Sequence, residues 1–357
     1  MISDKANNNQ LAKAVGYTFT IFLTIIFLYL AFRGIDLKKS FYIISKSSIV
    51  AILLYVLVFF ISHYARAVRW KYIISPMKKD VSTFHLFGSV MVGYGVNCVV
   101  PRLGELYRGL FLGRWEKISR TTAIGTIVVE RIIDMASFAF AALVSVSIFS
   151  GNLYSEITWL KTSLVIGFML ISSVTIFLIV LVRYRENFRN GLVRITGKLS
   201  TKLSFRLKEI FDTLISGLSS IKGRKNILII VAGTIVILIL YALNTYIGFY
   251  VLGMESTGKI TFAIAWIVMT ISSFSTMVPT PGGVGSYHAI SIFVLTQLFK
   301  FDNESSAAYA ILTHFISYFV FILSTVVIIY FVNRRRMLNG LSRETFLSVF
   351  KVTPDEK

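Results

Sequence analysis

The sequence predicts an all-α polytopic membrane protein, with about six transmembrane helices and two re-entrant helical hairpins set as an inverted repeat. Three observations lead there. The 357 residues are 55% hydrophobic and 14% aromatic, with a mean hydropathy of +0.73; a soluble core has no use for that composition, and several bilayer spans do. The apolar residues gather into runs of crossing length. Two runs break on proline and glycine and then resume as helix-like segments: VVPRLGE, Val99 to Glu105, and MVPTPGG, Met277 to Gly283.

Each break follows an apolar run of 17 residues, Phe84 to Val100 and Phe262 to Val278. That length spans a bilayer only marginally. Backbone groups freed by Pro and Gly find no partner in lipid, so each break must be buried in protein or face a water-filled cavity. Paired broken segments in corresponding halves point to a transporter's binding site.

In order, residues 1–13 are polar. Ala14 to Phe32 is apolar, follows Lys5 and Lys13, and lacks a small-residue cleavage site after it, so it reads as an uncleaved anchor helix. Arg33 to Ser48 is a polar connection. Ile49 to Tyr64 is the next span, and Arg66, Arg69, Trp70 and Lys71 after it read as a membrane interface. The first broken segment resumes over Glu105 to Trp115. Spans follow at Ile124 to Phe149 and Leu160 to Val182. Residues 183–225 hold eleven Lys or Arg against three acids. Leu192, Ile195, Leu199, Leu203, Leu207, Ile210, Leu214, Leu218 and Ile221 recur there at helical steps. That is a basic amphipathic helix, lying in the headgroup region or packed on the protein's own cytosolic face. Ile227 to Leu252 spans, Phe262 to Phe299 is the second broken segment, and Ala307 to Val332 spans before Arg334, Arg335 and Arg336.

Keeping the basic 183–225 stretch and the triple-Arg end in the cytoplasm gives six crossings, with the two hairpins entering from opposite sides; if both broken segments cross fully, there are about eight or more crossings and the N-terminus changes side. Arg33 to Ser48 then lands outside with Arg33, Lys38, Lys39 and Lys46, against the positive-inside tendency. The organisation expected is one membrane domain over 1–336. Its halves, about 14–182 and 227–336, are joined by the segment 183–226, and 337–357 is a mobile cytoplasmic tail.

The net charge of +20 would suggest nucleic acid in a soluble chain. Here the basic residues cluster between apolar segments, so a membrane partner is expected and nucleic acid is not. The single cysteine, Cys98, excludes an internal disulfide and a cysteine-rich metal site. No zinc-type His-Glu-x-x-His run, nucleophile elbow or Asp-rich metal pair is present, so no catalytic residue, metal or cofactor is expected.

Candidate binding residues fall in three groups. Arg102, Glu105 and Arg108, with Arg114 further on, follow Pro101; guanidiniums and a helix N-terminus converging at membrane depth suit a phosphate. A basic cytosolic loop is the plainer alternative. Glu130, Arg131 and Asp134 lie inside an apolar run, the two acids four apart on one face. Charges there cost roughly 2.5–3.5 kcal/mol each and so seek partners, with Arg102 and Arg108 the expected ones. A structural ion-pair lock is the alternative. Pro279, Pro281, Gly282, Gly283 and Gly285 permit close approach and expose backbone amides to an anion, and His288 follows one turn into the next helix. His288 is either ligand-linked or proton-linked, or simply a hydrogen-bonded structural residue. His314 and Tyr318 share a face of the last span.

These residues resemble the flippase-like family of the lysylphosphatidylglycerol synthase transmembrane region, over about Ala14 to Arg336. Its Pro-Arg-x-Gly-Glu-x-x-Arg pattern reads Pro101, Arg102, Gly104, Glu105, Arg108. Its Glu-Arg-x-x-Asp pattern reads Glu130, Arg131, Asp134. Its Pro-x-Pro-Gly-Gly-x-Gly pattern reads Pro279, Pro281, Gly282, Gly283, Gly285. The chain departs from the family at His288, where many members carry Glu. The synthase's soluble aminoacyl-transferring domain is absent from this sequence. The resemblance therefore implies translocation or binding of an anionic lipid, a phospholipid or a polyprenyl phosphate, in a bacterial cytoplasmic membrane with the C-terminus inside. A homo-oligomer is open. Two other classes remain: a membrane transferase acting on a lipid-linked sugar or headgroup, and a non-transporting scaffold for envelope assembly.

Overall fold

Long apolar runs without internal glycine or proline fold as long helices, and punctuation residues end them. The computed structural model describes residues 18–149, 183–198, 223–257, 260–346 and 348–350, with scattered positions between 169 and 215. Among the described residues there is helix and no strand. Helix α1, Thr18–Phe32, turns through 84° into α2, Leu37–Ser45. Asp36 makes that corner by accepting from the amides of Lys38 and Lys39 at 2.9 and 3.2 Å, an N-cap of ordinary kind. Helices α3, Ile49–Ile74, α4, Thr83–Val99, α5, Gly104–Glu116, and α6, Arg120–Ile148, follow. Then come α7, Arg185–Gly197, α8, Arg224–Val251, α9, Phe262–Ser273, α10, Ser286–Phe293, and α11, Asn303–Leu338.

Helices α3, α8 and α11 are long and apolar enough to cross a bilayer, and the bent pair α1–α2 adds a fourth span if counted as one. These described residues therefore account for three to four spans against the six expected. The expected span 160–182 and most of the amphipathic stretch beyond α7 lie outside the described residues.

Contacts group the chain into two units. One holds residues 18–59, Tyr94–Gly104 and Tyr241–Leu323. Its core includes Ala31, Ile292, Ala307 and Ala310, and the Ser48 amide donates to the Val251 carbonyl at 2.9 Å. The second broken segment belongs here. After α9 the chain passes through a 3₁₀ turn, Phe274–Met277, the break, α10 and a π-helical turn, Val294–Leu298. That last turn lies back against α9, and Ser291 Oγ donates to Ser272 Oγ at 2.9 Å, so the segment is a helical hairpin.

The other unit holds Phe60–Gly93 and the described parts of Glu105–Leu240 and Ser324–Lys357. Here α4 and α5 run side by side. A Cβ on Gly88 would lie 3.3 Å from the Trp115 ring, and Glu116 takes Lys78 Nζ at 3.0 Å and the Ser82 amide at 3.0 Å. The start of α4 thus meets the end of α5, so the first broken segment is also a hairpin. Helix α6 covers the expected 124–149 segment.

The tail corrects an expectation. Glu344 is buried, paired with Arg114 Nε at 2.7 Å and Arg336 Nη2 at 2.8 Å, and Asn333 brackets its backbone with two bonds of 2.8 Å. Val349 is also buried. Two guanidiniums sharing one carboxylate anchor the chain at Glu344, within the segment expected to be mobile; residues 347 and 351–357 lie outside the described residues. Glu344→Ala is expected to release this strap at a cost of about 3–5 kcal/mol, the range for orphaning buried charges. Limited proteolysis would then cut after Leu341 in the variant at protease levels that leave the parent chain intact there.

Candidate functional site

In the second unit the charged residues of three helices meet, with a threonine from a fourth. On α6, Thr126, Glu130 and Asp134 recur every four residues and so share one face. On α3, Arg66, Arg69 and Trp70 do the same at three- and four-residue steps. Helix α5 adds Glu105 and Arg108, and α8 adds Thr234.

Glu130 is fully buried and sits at the centre. Its Oε1 takes Arg66 Nε at 2.7 Å and Arg69 Nη2 at 3.3 Å, and its Oε2 takes Arg108 Nη2 at 2.5 Å. Asp134 receives Arg66 Nη2, and Arg69 Nη2 at 2.5 Å. Arg131 lies at the rim, 3.5 Å from Glu105 and 3.9 Å from Asp134. Arg69 Nη1 also donates to Thr234 Oγ1 at 3.1 Å. The Arg108 guanidinium lies 3.8 Å above the Trp70 ring, and Trp70 Nε1 donates to Thr126 Oγ1 at 2.9 Å. A cation over indole is held by the ring's negative face, so Trp70 and Glu130 together fix the plane of Arg108.

Four guanidiniums here meet three carboxylates, which leaves a net positive charge. Arg108 Nε and Nη1 and Arg69 Nε are buried with no hydrogen-bond partner among the described residues. Buried donors left without acceptors cost about 1–3 kcal/mol each, and more for charged groups. Nearly all such groups in folded proteins are satisfied.

The sequence put Glu105 and Arg108 in one candidate group and Glu130, Arg131 and Asp134 in another, with Arg108 an expected partner of the acids, and the structure brings these five together. It adds Arg66 and Arg69, which the sequence reading put at a membrane interface. They are 2% and 1% exposed, because α3 continues unbroken through Ile74 and carries them beside α6. The signal available was the lack of Gly or Pro from Tyr64 to Ile74.

The remaining candidates lie in the first unit. The Arg102 guanidinium, expected to meet the acids, donates to the Met277 carbonyl at 3.1 Å, so the two breaks touch. Arg102 adopts φ +64°, turned left-handed just after Pro101, and Asn97 Oδ1 accepts from the Gly104 amide at 2.7 Å to start α5. Gly282 has φ +56°, and a Cβ there would lie 2.7 Å from the Tyr318 ring and 3.2 Å from Cys98 Cα. Only glycine fits between the two breaks at that point. Tyr318 Oη donates to the Cys98 carbonyl at 2.6 Å. Pro279, Pro281 and Gly283 shape the turn, Gly285 precedes α10, and His288 is buried on its first turn. Among the described residues no group of three or more His, Cys, Asp or Glu side chains is placed to hold a metal ion.

A family model described as the lysylphosphatidylglycerol synthase TM region matches residues 15–324. The chain is 24% identical over 315 residues to a UPF0104 membrane protein of Methanocaldococcus jannaschii, covering 84% of this chain and 90% of that protein. It is 25% identical over 280 residues to a UPF0104 membrane protein of Methanothermobacter thermautotrophicus, covering 74% and 80%. A second UPF0104 membrane protein of M. jannaschii is 26% identical over 242 residues, covering 67% and 94%. No solved structure matches the chain.

Proposed function

The chain belongs to the lysylphosphatidylglycerol synthase transmembrane-region family of integral membrane proteins, and on that premise we propose that it binds an anionic lipid by its phosphate and carries it across the membrane. Arg108, Arg69 and Arg66 hold the phosphate, and Arg131 and Glu105 stand at the rim. Glu130 and Asp134 keep the guanidiniums apart and oriented. The two hairpins, hinged at Pro101 and at Pro279 to Gly285, move to give the headgroup access from either leaflet in turn. The membrane is the cytoplasmic one.

The observation that carries this reading is the set of unmet donors on Arg108 and Arg69. An ion-pair lock alone would explain the acids and leave those donors unexplained. Phosphate oxygens accept charge-assisted bonds from guanidinium, and the fully buried Arg108 offers two unmet donors, Nε and Nη1.

The test uses vesicles holding the purified chain and a fluorescent anionic phospholipid in both leaflets. A membrane-impermeant quencher reports lipid movement. The parent chain is expected to expose the inner-leaflet probe to quencher. Arg108→Lys keeps the charge and removes both unmet donors. Each charge-assisted bond is worth about 1.5–3 kcal/mol, so lipid movement is expected to slow by about tenfold or more. A zwitterionic probe that moves equally fast, or undiminished movement in Arg108→Lys, would remove the cluster from the mechanism.

A further inference from the structure

The Pro279 to Gly285 break is tied to two imidazoles. His288 Nδ1 accepts from the Gly285 amide at 3.3 Å. His314 Nε2 lies 3.0 Å from the Gly282 carbonyl; a carbonyl oxygen only accepts, so Nε2 carries the hydrogen. These two bonds fix the neutral tautomers. The free lone pair of the couple is on His314 Nδ1, and the second hydrogen of the couple is on His288 Nε2. The ring centroids are 4.7 Å apart.

Aromatic rings surround the couple. Phe32 of α1 lies 5.6 Å from His288. Tyr287 of α10 lies 5.5 Å from His314, stacked on it. Tyr318 of α11 lies 5.7 Å from His314. The titratable groups facing the couple are Tyr287 from α10 and Tyr318 from α11, with Cys98 from the end of α4 behind Tyr318. Tyr55 of α3 and Tyr309 of α11 stand beyond Tyr287. Helix α1 contributes Phe32, and Thr24, Phe27 and Leu28 pack at Gly285. Among the described residues neither imidazole pairs with a carboxylate or a basic side chain.

We infer that His288 and His314 form a one-proton site whose occupancy unlatches the Pro279 to Gly285 break, so that protons drive the hairpin. A proton from water binds His314 Nδ1, and the faces of Tyr287 and Tyr318 stabilise the imidazolium. A second proton is kept out by the like charge at this ring separation. Transfer of the proton to His288 Nδ1 displaces the Gly285 amide, which loses its acceptor and frees the start of α10. No other bond is made or broken. Such a switch would power the hairpin whatever lipid moves, so its test involves no lipid.

Hydrogen exchange of the detergent-solubilised full chain reads the effect directly. Peptides covering Gly283 to Ala289 are compared at about pH 8 and about pH 3, above and well below the range of a free imidazole, after correction for intrinsic exchange. Loss of the latch is expected to speed exchange on the order of tenfold in acid. In the double variant His288→Gln, His314→Gln, glutamine keeps an acceptor and a donor in place without titrating, and the acid effect is expected to vanish. A parent chain with equal protection at both pH values, or an acid effect that survives the double variant, would overturn the proposal. Nitrogen-15 histidine spectra of the parent chain give a reading that needs no variant. The His288 and His314 signals should shift together with uptake of one proton, and two independent full titrations would overturn it.

Discussion

Glu130→Gln is expected to lower the stability of the second unit by about 3–5 kcal/mol, the cost of leaving buried charges uncompensated. Glu130 is fully buried and is the shared acceptor for Arg66, Arg69 and Arg108. Glutamine keeps the shape and one acceptor oxygen but no charge, so the cluster becomes more positive in a medium that screens little. The melting temperature should fall on the order of 10 °C, taking roughly 2–4 °C per kcal/mol for a unit of this size. Trp70 supplies the reporter, because it is buried in this unit under the Arg108 guanidinium and its fluorescence changes on unfolding. Glu105→Gln is the control. Its side chain is 33% exposed and its pair with Arg131 spans 3.5 Å, so a change within about 1 kcal/mol is expected. Equal shifts in the two variants would mean that burial does not set the strength of these pairs.

Gly285→Ala should cost nearly as much, for a steric reason. Gly285 has φ +85°, and a Cβ there would stand 2.8 Å from the Thr24 carbonyl oxygen and 3.0 Å from Phe27 Cβ. The backbone of α1 cannot yield as a flexible side chain would. The left-handed conformation costs roughly 1–2 kcal/mol, and overpacking adds about 1–3 kcal/mol. Gly253→Ala separates the two effects, since Gly253 has φ +68° with nothing within 4 Å of its would-be Cβ. Gly285→Ala is expected to melt well below Gly253→Ala, and a match between them would show that α1 moves aside freely.

Much of the architecture was legible because proline and glycine punctuate it. Pro101, and Pro279 with the glycines to Gly285, marked both hairpins within a few residues of the observed α4–α5 and α9–α10 ends. The four-residue spacing of Glu130 and Asp134 gave their common face. His314 and Tyr318, four apart, do both reach the Gly282 region. What escaped was pairing at long range. Arg66 and Arg69 look locally like the basic end of a span, and their acids lie more than sixty residues on. Glu344 meets Arg114 across 230 residues, which no local pattern encodes. The tail therefore read as free. Arg102 was assigned to the acids because it shares a motif with Arg108, yet its left-handed backbone turns it to Met277.

On the function proposed above, the buried guanidiniums hold a phosphate-bearing lipid. Native mass spectrometry of the chain purified in mild detergent tests it most directly, by weighing what stays bound. One anionic phospholipid or polyprenyl phosphate is expected on the parent chain, and that adduct is expected to be lost in Arg108→Lys. A bare parent chain, free phosphate alone, or a zwitterionic lipid held equally well by both would contradict it.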